Sequence, residues 1–236
     1  MNIVVLLSAG RDPHSGQPRP VGVELQAIAL ARSLPGAIVT GLHAGMTDAA
    51  VCDAFGHGLS DITILTLDPG SDPLPALIAE LRHIGPALIL AGRRGQGGTD
   101  SGLLPYRIAH ACSWPIVADA TAITCDGGTC HVIQSLPRGA RRRITVSLPA
   151  MVTIHEAAPP ALPFAYRGRK AGRLHEHAGM AGPPPDPAGE IRPYRPRPKL
   201  IGEIAPAGTG VVLSSPTPDD AAAAVLAYIE RFRTLS

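Results

Sequence analysis

The stretch LILAGRRGQGGTDSGLLPYRIAHACSWPIV, residues 88–117, decides both the fold and the kind of site that we expect. It begins with an apolar run of strand length and continues, after a loop rich in glycine and arginine, into an apolar pattern of helical period. Ligands of open α/β sheets bind at the carboxyl ends of the strands, where such a loop would lie. The stretch therefore predicts an α/β domain with a nucleotide site.

The loop has the chemistry of a phosphate site. Glycines let backbone N–H groups approach an anion, the next helix contributes its dipole, and Arg93 and Arg94 add cationic donors. The alternative is a flexible loop in which Ser101 only caps the next helix. The loop is neither GxxxxGK[ST] nor a GxGxxG after the first strand, so the motifs of P-loop NTPases and dehydrogenases are absent. We predict nucleotide contacts from Gly92, Arg93, Arg94, Gly95, Gln96, Gly97, Gly98, Thr99, Asp100 and Ser101.

Outward from this loop, strand-like and helical patterns alternate through the first half of the chain. This alternation predicts a Rossmann-like parallel sheet with helices on both faces. Strands are predicted at 3–7, 37–42, 61–67 and 86–91, and helices at 23–34, at 47–55 behind a Thr47 cap, from 73 behind Asp72, and from a Ser101 cap onward.

The second half predicts a short antiparallel appendage and then an extended arm that ends in a helix. Strands at 117–123 and 131–136 flank a turn at 125–128, and further strands are expected at 143–148 and 150–154. Residues 157–210 are rich in Pro, Gly and Arg, which predicts an arm that lies on a partner or is disordered. We therefore divide the chain into a nucleotide-binding domain (1–156), a recognition loop with its arm (157–216), and a terminal helix (217–236) that Thr217 caps.

Composition narrows the function classes. The net charge of +2 is too balanced to suggest nucleic-acid binding, and no apolar run is long enough to span a membrane. The four cysteines form no CxxC pair, which favours a reduced, cytoplasmic setting. The histidines are scattered and no serine lies in a nucleophile elbow, so we assign neither a metal nor a catalytic residue.

Three blocks of sequence together resemble the beta subunit of electron transfer flavoproteins. Residues 88–117 are similar to that family's adenosine-phosphate loop and its following helix. SLPAMVTI (147–154) resembles the family's LPAVVT strand, and LPFAYRGRKAGR (162–173) resembles the LPNIMKAKKK segment of its partner-recognition loop. Because the order and spacing of the blocks also match, the resemblance covers most of the chain.

The resemblance implies an electron-carrier subunit without catalytic residues of its own. It implies a heterodimer with an alpha subunit that holds FAD, a structural AMP bound by this chain, and contacts with a flavin dehydrogenase and peripherally with a membrane quinone reductase. The AMP loop corresponds to residues 92–101, and Leu6 and Ala44 line the adenosine site. The resemblance also implies that a leucine anchor and its neighbours dock onto the dehydrogenase. These residues correspond to Leu162, Pro163, Phe164, Arg167, Arg169 and Lys170.

Several alternatives stay open at this point. The loop is shorter than in the family and lacks its usual run of aspartates. An adenine-nucleotide-binding sensor or stress module without electron transfer has the same pattern, and so does an ATP-using ligase or hydrolase of related fold. Leu162 and Phe164 also fit ordinary packing of the arm on the body.

Overall fold

A computed structural model describes residues 1–95, 101–180, 182 and 212–233 of the chain. Residues 1–188 contain a nine-stranded, mostly parallel sheet with helices on both faces. The chain divides into two units, residues 1–188 and 189–236. None of the described helices is long and apolar enough to cross a membrane. In chain order the elements are β1 (Asn2–Leu6), α1 (Gly22–Ser33), β2 (Ile38–Ala44), α2 (Ala49–Asp53), a 3₁₀ turn (Ala54–His57), β3 (Asp61–Thr66), α3 (Leu74–Ile84), β4 (Leu88–Gly92), α4 (Leu104–Cys112), β5 (Ile116–Asp126), β6 (Thr129–Ser135), β7 (Arg141–Ser147), β8 (Ala150–Ile154), α5 (Tyr166–Ala171), β9 (Arg173–Ala178) and α6 (Pro218–Arg233).

The strand order is β7-β6-β5-β8-β4-β1-β2-β3-β9. All neighbouring strands from β5 to β9 across the sheet pair in parallel, whereas β5–β6 and β6–β7 pair antiparallel. The Rossmann-like prediction is confirmed. Strand order reverses between β1 and β4, which is the position where such sheets bind ligands.

Two apolar clusters cover the two faces of the sheet. Ile3 and Val5 of β1 belong to one cluster with Ile28 of α1, and Val4 belongs to the other with Leu81 of α3. Successive side chains of a strand point to opposite faces, so a strand buried on both sides has an apolar run without polar alternation. Burial of each such side chain contributes about 1.5–3 kcal/mol to the stability of the fold. This packing holds the strands in place, and with them the strand ends at which the candidate site lies.

One strand was assigned to the wrong part of the sheet. We predicted residues 150–154 as part of the antiparallel appendage, but β8 lies between β4 and β5 and pairs in parallel with both. All five of its residues are buried, as expected for a central strand. The appendage therefore consists of the β5–β6–β7 ribbon alone.

The β5–β6 hairpin turns at Gly127 and Gly128, whose φ angles of 54° and 85° suit a two-residue turn. Cys125 and Cys130 lie directly opposite each other in this hairpin and form a disulfide. The expectation of reduced thiols is therefore wrong for this pair, because facing positions on two strands bring the sulfur atoms together without a CxxC spacing. Cys52 and Cys112 are free.

The start of the arm is ordered, which the sequence did not predict. Residues 173–178 form β9, which adds to the sheet edge in parallel with β3 over six register pairs. Arg173 makes a bidentate ion pair with Asp61, and His175 contacts the same carboxylate. This charge pairing, together with the edge hydrogen bonds, orders a strand that has no buried residue.

Helix starts differ from the predictions by one to three residues. Asp48, and not Thr47, caps α2 by accepting the Ala50 N–H, and the Thr47 hydroxyl donates to Glu176. Asp72 accepts the Leu74 N–H as expected. Ser101 accepts the Leu103 N–H at 3.3 Å, but α4 begins only at Leu104. The Thr217 cap of α6 is confirmed by its contact with the Asp220 N–H.

Candidate functional site

The predicted nucleotide site lies at the carboxyl ends of β1, β2 and β4. Leu6, Ala44 and Gly92 are the last residues of these three strands, and β1 pairs with both neighbours. The structure therefore brings the predicted strand-end residues to one edge, on either side of the strand-order reversal. Gln96, Gly97, Gly98, Thr99 and Asp100 lie outside the described residues.

Glycine is required at the start of the loop after β4. A Cβ atom on the buried Gly92 would lie 2.8 Å from Val23 Cγ2 and 3.1 Å from the Arg94 carbonyl oxygen. Gly102 has a φ of +69°, and a Cβ there would lie 3.1 Å from the Arg93 carbonyl oxygen. The described residues on either side of 96–100 are therefore close together.

The two loop arginines differ in their surroundings. Arg93 Nε lies 3.4 Å from Asp119 Oδ1, and the Arg93 side chain is about half exposed. Asp119 has a φ of +56° and its N–H donates to Thr153 Oγ1, which fixes the carboxylate beside the loop. Arg94 is exposed and makes no ion pair with any other described residue. Both guanidinium groups are therefore available for an anion, although Asp119 competes for the first.

A buried carboxylic acid lies under the same loop. Glu24 of α1 is 4% exposed and hydrogen-bonds to Ser8, whose backbone N–H donates to Oε2 at 2.9 Å and whose hydroxyl donates to Oε1. Burial raises the pKa of Glu24 to about 8, and the two hydrogen bonds from Ser8 lower it only in part. The side chain is therefore mostly protonated at pH 7 and places little negative charge beside the loop after β4.

His43 is the second-last residue of β2. Its Nδ1 lies 2.9 Å from the Leu7 carbonyl oxygen, so this nitrogen carries the hydrogen and donates. Nε2 is buried and has no hydrogen-bond partner among the described residues. His43 thus ties the loop after β1 to β2, next to Ala44.

The predicted docking segment, residues 162–170, lies against the 3₁₀ turn at Ala54–His57. The Ala165 N–H donates to the Gly56 carbonyl oxygen at 2.8 Å, and Arg169 pairs with Asp53 at 2.9 Å.

Leu162 and Phe164 stay 37% and 49% exposed. Arg167 is exposed, and the Lys170 ammonium lies 5.7 Å from the Tyr166 ring centroid. The segment therefore packs on the body and still exposes apolar side chains, and Pro163 is exposed as well. Its docking role stays a prediction.

A cavity of about 340 Å³ lies between the loop that precedes α1, the start of α1 and His57 of the 3₁₀ turn. Arg11, Arg19 and His57 supply its polar lining. Arg11 makes a bidentate pair with Asp48, and Arg19 pairs with Asp12, so both cations are neutralised by carboxylates. We assign no ligand to this cavity.

The sheet order, with its reversal between β1 and β4, defines a Rossmann-like α/β protein. The family model of the electron transfer flavoprotein domain matches residues 14–179. The chain is 35% identical over 250 residues to the electron transfer flavoprotein subunit beta of Chromohalobacter salexigens, covering 97% of this chain and 94% of that protein. The chain therefore belongs to the electron transfer flavoprotein family and resembles its beta subunit throughout.

Sequence reasoning missed four residues. Glu24, His43 and Asp119 lie around the predicted nucleotide site, and His57 contacts the predicted docking segment. Glu24 lies in a helical pattern where a lone acid usually faces solvent. Asp119 lies in a strand pattern, and only its positive φ turns it toward Arg93. Neither position carries a local sequence signal. The burial of Glu24 and the backbone turn at Asp119 arise only when the sheet is assembled.

Proposed function

We propose that this chain is the small subunit of a cytoplasmic two-subunit electron carrier. It binds AMP as a structural element at the ends of β1, β2 and β4, and it presents residues 162–170 to a flavin dehydrogenase. The redox-active FAD is held mainly by the alpha subunit, and electrons pass from the dehydrogenase flavin to this FAD and onward. The chain supplies no catalytic residue of its own.

The similarity to an electron transfer flavoprotein subunit beta over 97% of the chain carries this proposal. The geometry supports it in two places. The loop after β4 offers glycine backbone and exposed arginines at the strand-order reversal, where a phosphate would meet N–H groups and positive charge. The docking segment exposes Leu162 and Phe164 next to basic residues, a combination that suits a partner contact.

Co-expression with the product of the neighbouring gene tests the proposal. We expect a yellow heterodimer that shows flavin absorbance and that releases one AMP per heterodimer on acid denaturation. A colourless homodimer that binds ATP would contradict it and would favour the sensor-type module. ATP turnover by the purified chain would favour the ligase or hydrolase alternative.

A further inference from the structure

His57 joins the docking segment to the body at the point where the apolar side chains of the segment emerge. Its Nδ1 lies 2.7 Å from the Leu162 carbonyl oxygen. Its ring contacts the Phe164 ring edge to face, with centroids 5.4 Å apart. A carbonyl oxygen only accepts, so Nδ1 carries the hydrogen. One side chain therefore contacts both Leu162 and Phe164, two of the residues that we assign to docking.

The two glycines beside His57 make this close contact sterically feasible. A Cβ atom on Gly56 would lie 2.2 Å from the Phe164 ring, so Phe164 fits only because position 56 has no side chain. Gly58 has a φ of +109°, and a Cβ there would lie 3.0 Å from Leu162 Cδ1. The 3₁₀ turn thus forms a shallow surface that receives both apolar residues while His57 projects between them.

The rest of the segment has few ties to the body. Among the described residues, the His57 contact is the only hydrogen bond made by residues 159–164, and three of these six residues are prolines without an N–H donor. The flanking ties are Gln26 to the Ala158 carbonyl oxygen and Ala165 to Gly56. Without His57, the stretch between these two ties has no polar contact to hold it.

The ion pair of Arg169 with Asp53 does not replace this contact. Its two side chains are 33% and 38% exposed, and pairs of such exposure contribute little because water screens them. It also lies beyond Ala165, so it fixes α5 and not the apolar residues before it.

We propose that His57 is a positioning residue, whose Nδ1–H and ring hold the Leu162 carbonyl and the Phe164 ring so that both apolar side chains face the partner dehydrogenase in one fixed orientation. This effect on docking rests on the proposed function of the segment. The effect on the rigidity of residues 159–165 does not, and it is measurable without a dehydrogenase.

Three substitutions separate the hydrogen bond from the ring contact. H57N keeps a donor at the place of Nδ1 and removes the ring, H57F keeps a ring and removes the donor, and H57A removes both. H83A is the matched control, since His83 is an exposed histidine on α3. The full chain, purified with its co-expressed partner, is used throughout.

The first readout is hydrogen exchange, followed by mass spectrometry, of the peptide that covers residues 159–171. No N–H of residues 159–164 donates a hydrogen bond to a described residue, so the amide that reports on the segment is that of Ala165, which donates to the Gly56 carbonyl oxygen. A lost hydrogen bond of ordinary net strength corresponds to a rate increase of about three- to tenfold. We expect this increase in H57A and H57F, a rate near wild type in H57N, and no change in H83A. Unchanged exchange in both H57A and H57F would overturn the proposal. If H57A does not fold, the comparison of H57N with H57F decides.

Electron transfer gives the second readout. The flavin dehydrogenase encoded nearest to this gene is assayed with a dye acceptor at rising concentrations of the complex. We expect H57A to raise KM about three- to tenfold while kcat and flavin content stay unchanged, and H57N to restore KM. Faster exchange with an unchanged KM would confirm the positioning of the segment and overturn its docking role. A raised KM that H57N does not restore would overturn the hydrogen-bond part of the proposal.

Discussion

Ser8 and Glu24 are joined twice: the Ser8 N–H and hydroxyl both donate to the Glu24 carboxyl group, which α1 buries beneath the loop after β4. Gly95 of that loop lies directly over Ser8, since a Cβ on it would be 3.4 Å from Ser8 Oγ. The pair therefore joins the loop after β1 to α1, directly beneath the loop after β4. Its protonation state bears on both stability and anion binding.

We predict that stability falls as pH rises because of Glu24. Its pKa is about 8 in the folded chain, against an ordinary value of 4.5 that applies after unfolding. Between these values the folded state binds more protons, so the free energy of unfolding decreases with pH and levels off above pH 8. The upper bound of this loss is roughly 4–5 kcal/mol.

The variant E24Q isolates this effect. Glutamine is neutral at every pH and still accepts the Ser8 N–H, so we expect the decrease between pH 5 and 9 to be smaller than in wild type by several kcal/mol. Urea unfolding at pH 5, 7 and 9 measures this difference. Parallel pH profiles of E24Q and wild type would show that Glu24 ionises normally in the folded chain.

We predict that Gly92→Ala destabilises the chain by about 1–3 kcal/mol, a typical cost of overpacking. The added methyl group would lie 2.8 Å from Val23 Cγ2 and 3.1 Å from a backbone oxygen, which cannot move as freely as a side-chain end. Gly22→Ala is the control, because nothing lies within 4 Å of the new Cβ and alanine favours the first turn of α1. Equal unfolding midpoints for the two variants would contradict the assigned packing at Gly92.

The place of β8 in the sheet was predicted wrongly and β9 was not predicted, and both have the same physical cause. The apolar pattern of residues 150–154 correctly gave a strand, but its place between β4 and β5 depends on pairing with residues distant in sequence. Residues 173–178 have no buried position, so their sequence has no apolar pattern that would predict β9. This strand is ordered because Arg173 pairs with Asp61, a residue distant in sequence. The strands β1 to β4 were predictable because their apolar signals lie in adjacent residues.

We predict that replacing both Arg93 and Arg94 by alanine lowers the AMP that copurifies with the complex by more than half. Both side chains are exposed at the loop after β4, where they would add charge-assisted hydrogen bonds to a phosphate. Nucleotide released by acid is quantified by chromatography.

The control for the arginine pair removes two arginines elsewhere. Arg141 and Arg143 are exposed on β7, at the far edge of the sheet from β9. Their replacement by alanine removes the same charge, so we expect the AMP content to stay at the wild-type level. A loss of AMP in both double variants would indicate a general charge effect, and no loss in either would remove the two loop arginines from the site.

We predict that Leu162→Ala weakens docking of the dehydrogenase without changing the flavin content. The side chain is 37% exposed, and His57 holds its carbonyl group, so its apolar surface is presented in a defined place. Truncation of an anchor residue at an interface commonly costs more than 1 kcal/mol, which corresponds to a decrease of roughly tenfold in kcat/KM. Stopped-flow reduction of the complex by the dehydrogenase measures this rate.

Ile38→Ala is the matched control for the anchor. Ile38 is 64% exposed, which is more than Leu162, but it begins β2 at the amino edge of the sheet, opposite the end of the predicted nucleotide site. If exposed apolar area alone mattered, Ile38→Ala would slow reduction at least as much. We expect the slower rate only for Leu162→Ala, since an anchor requires both exposure and a fixed backbone. Wild-type rates for Leu162→Ala would leave packing against Gly58 as the role of this side chain.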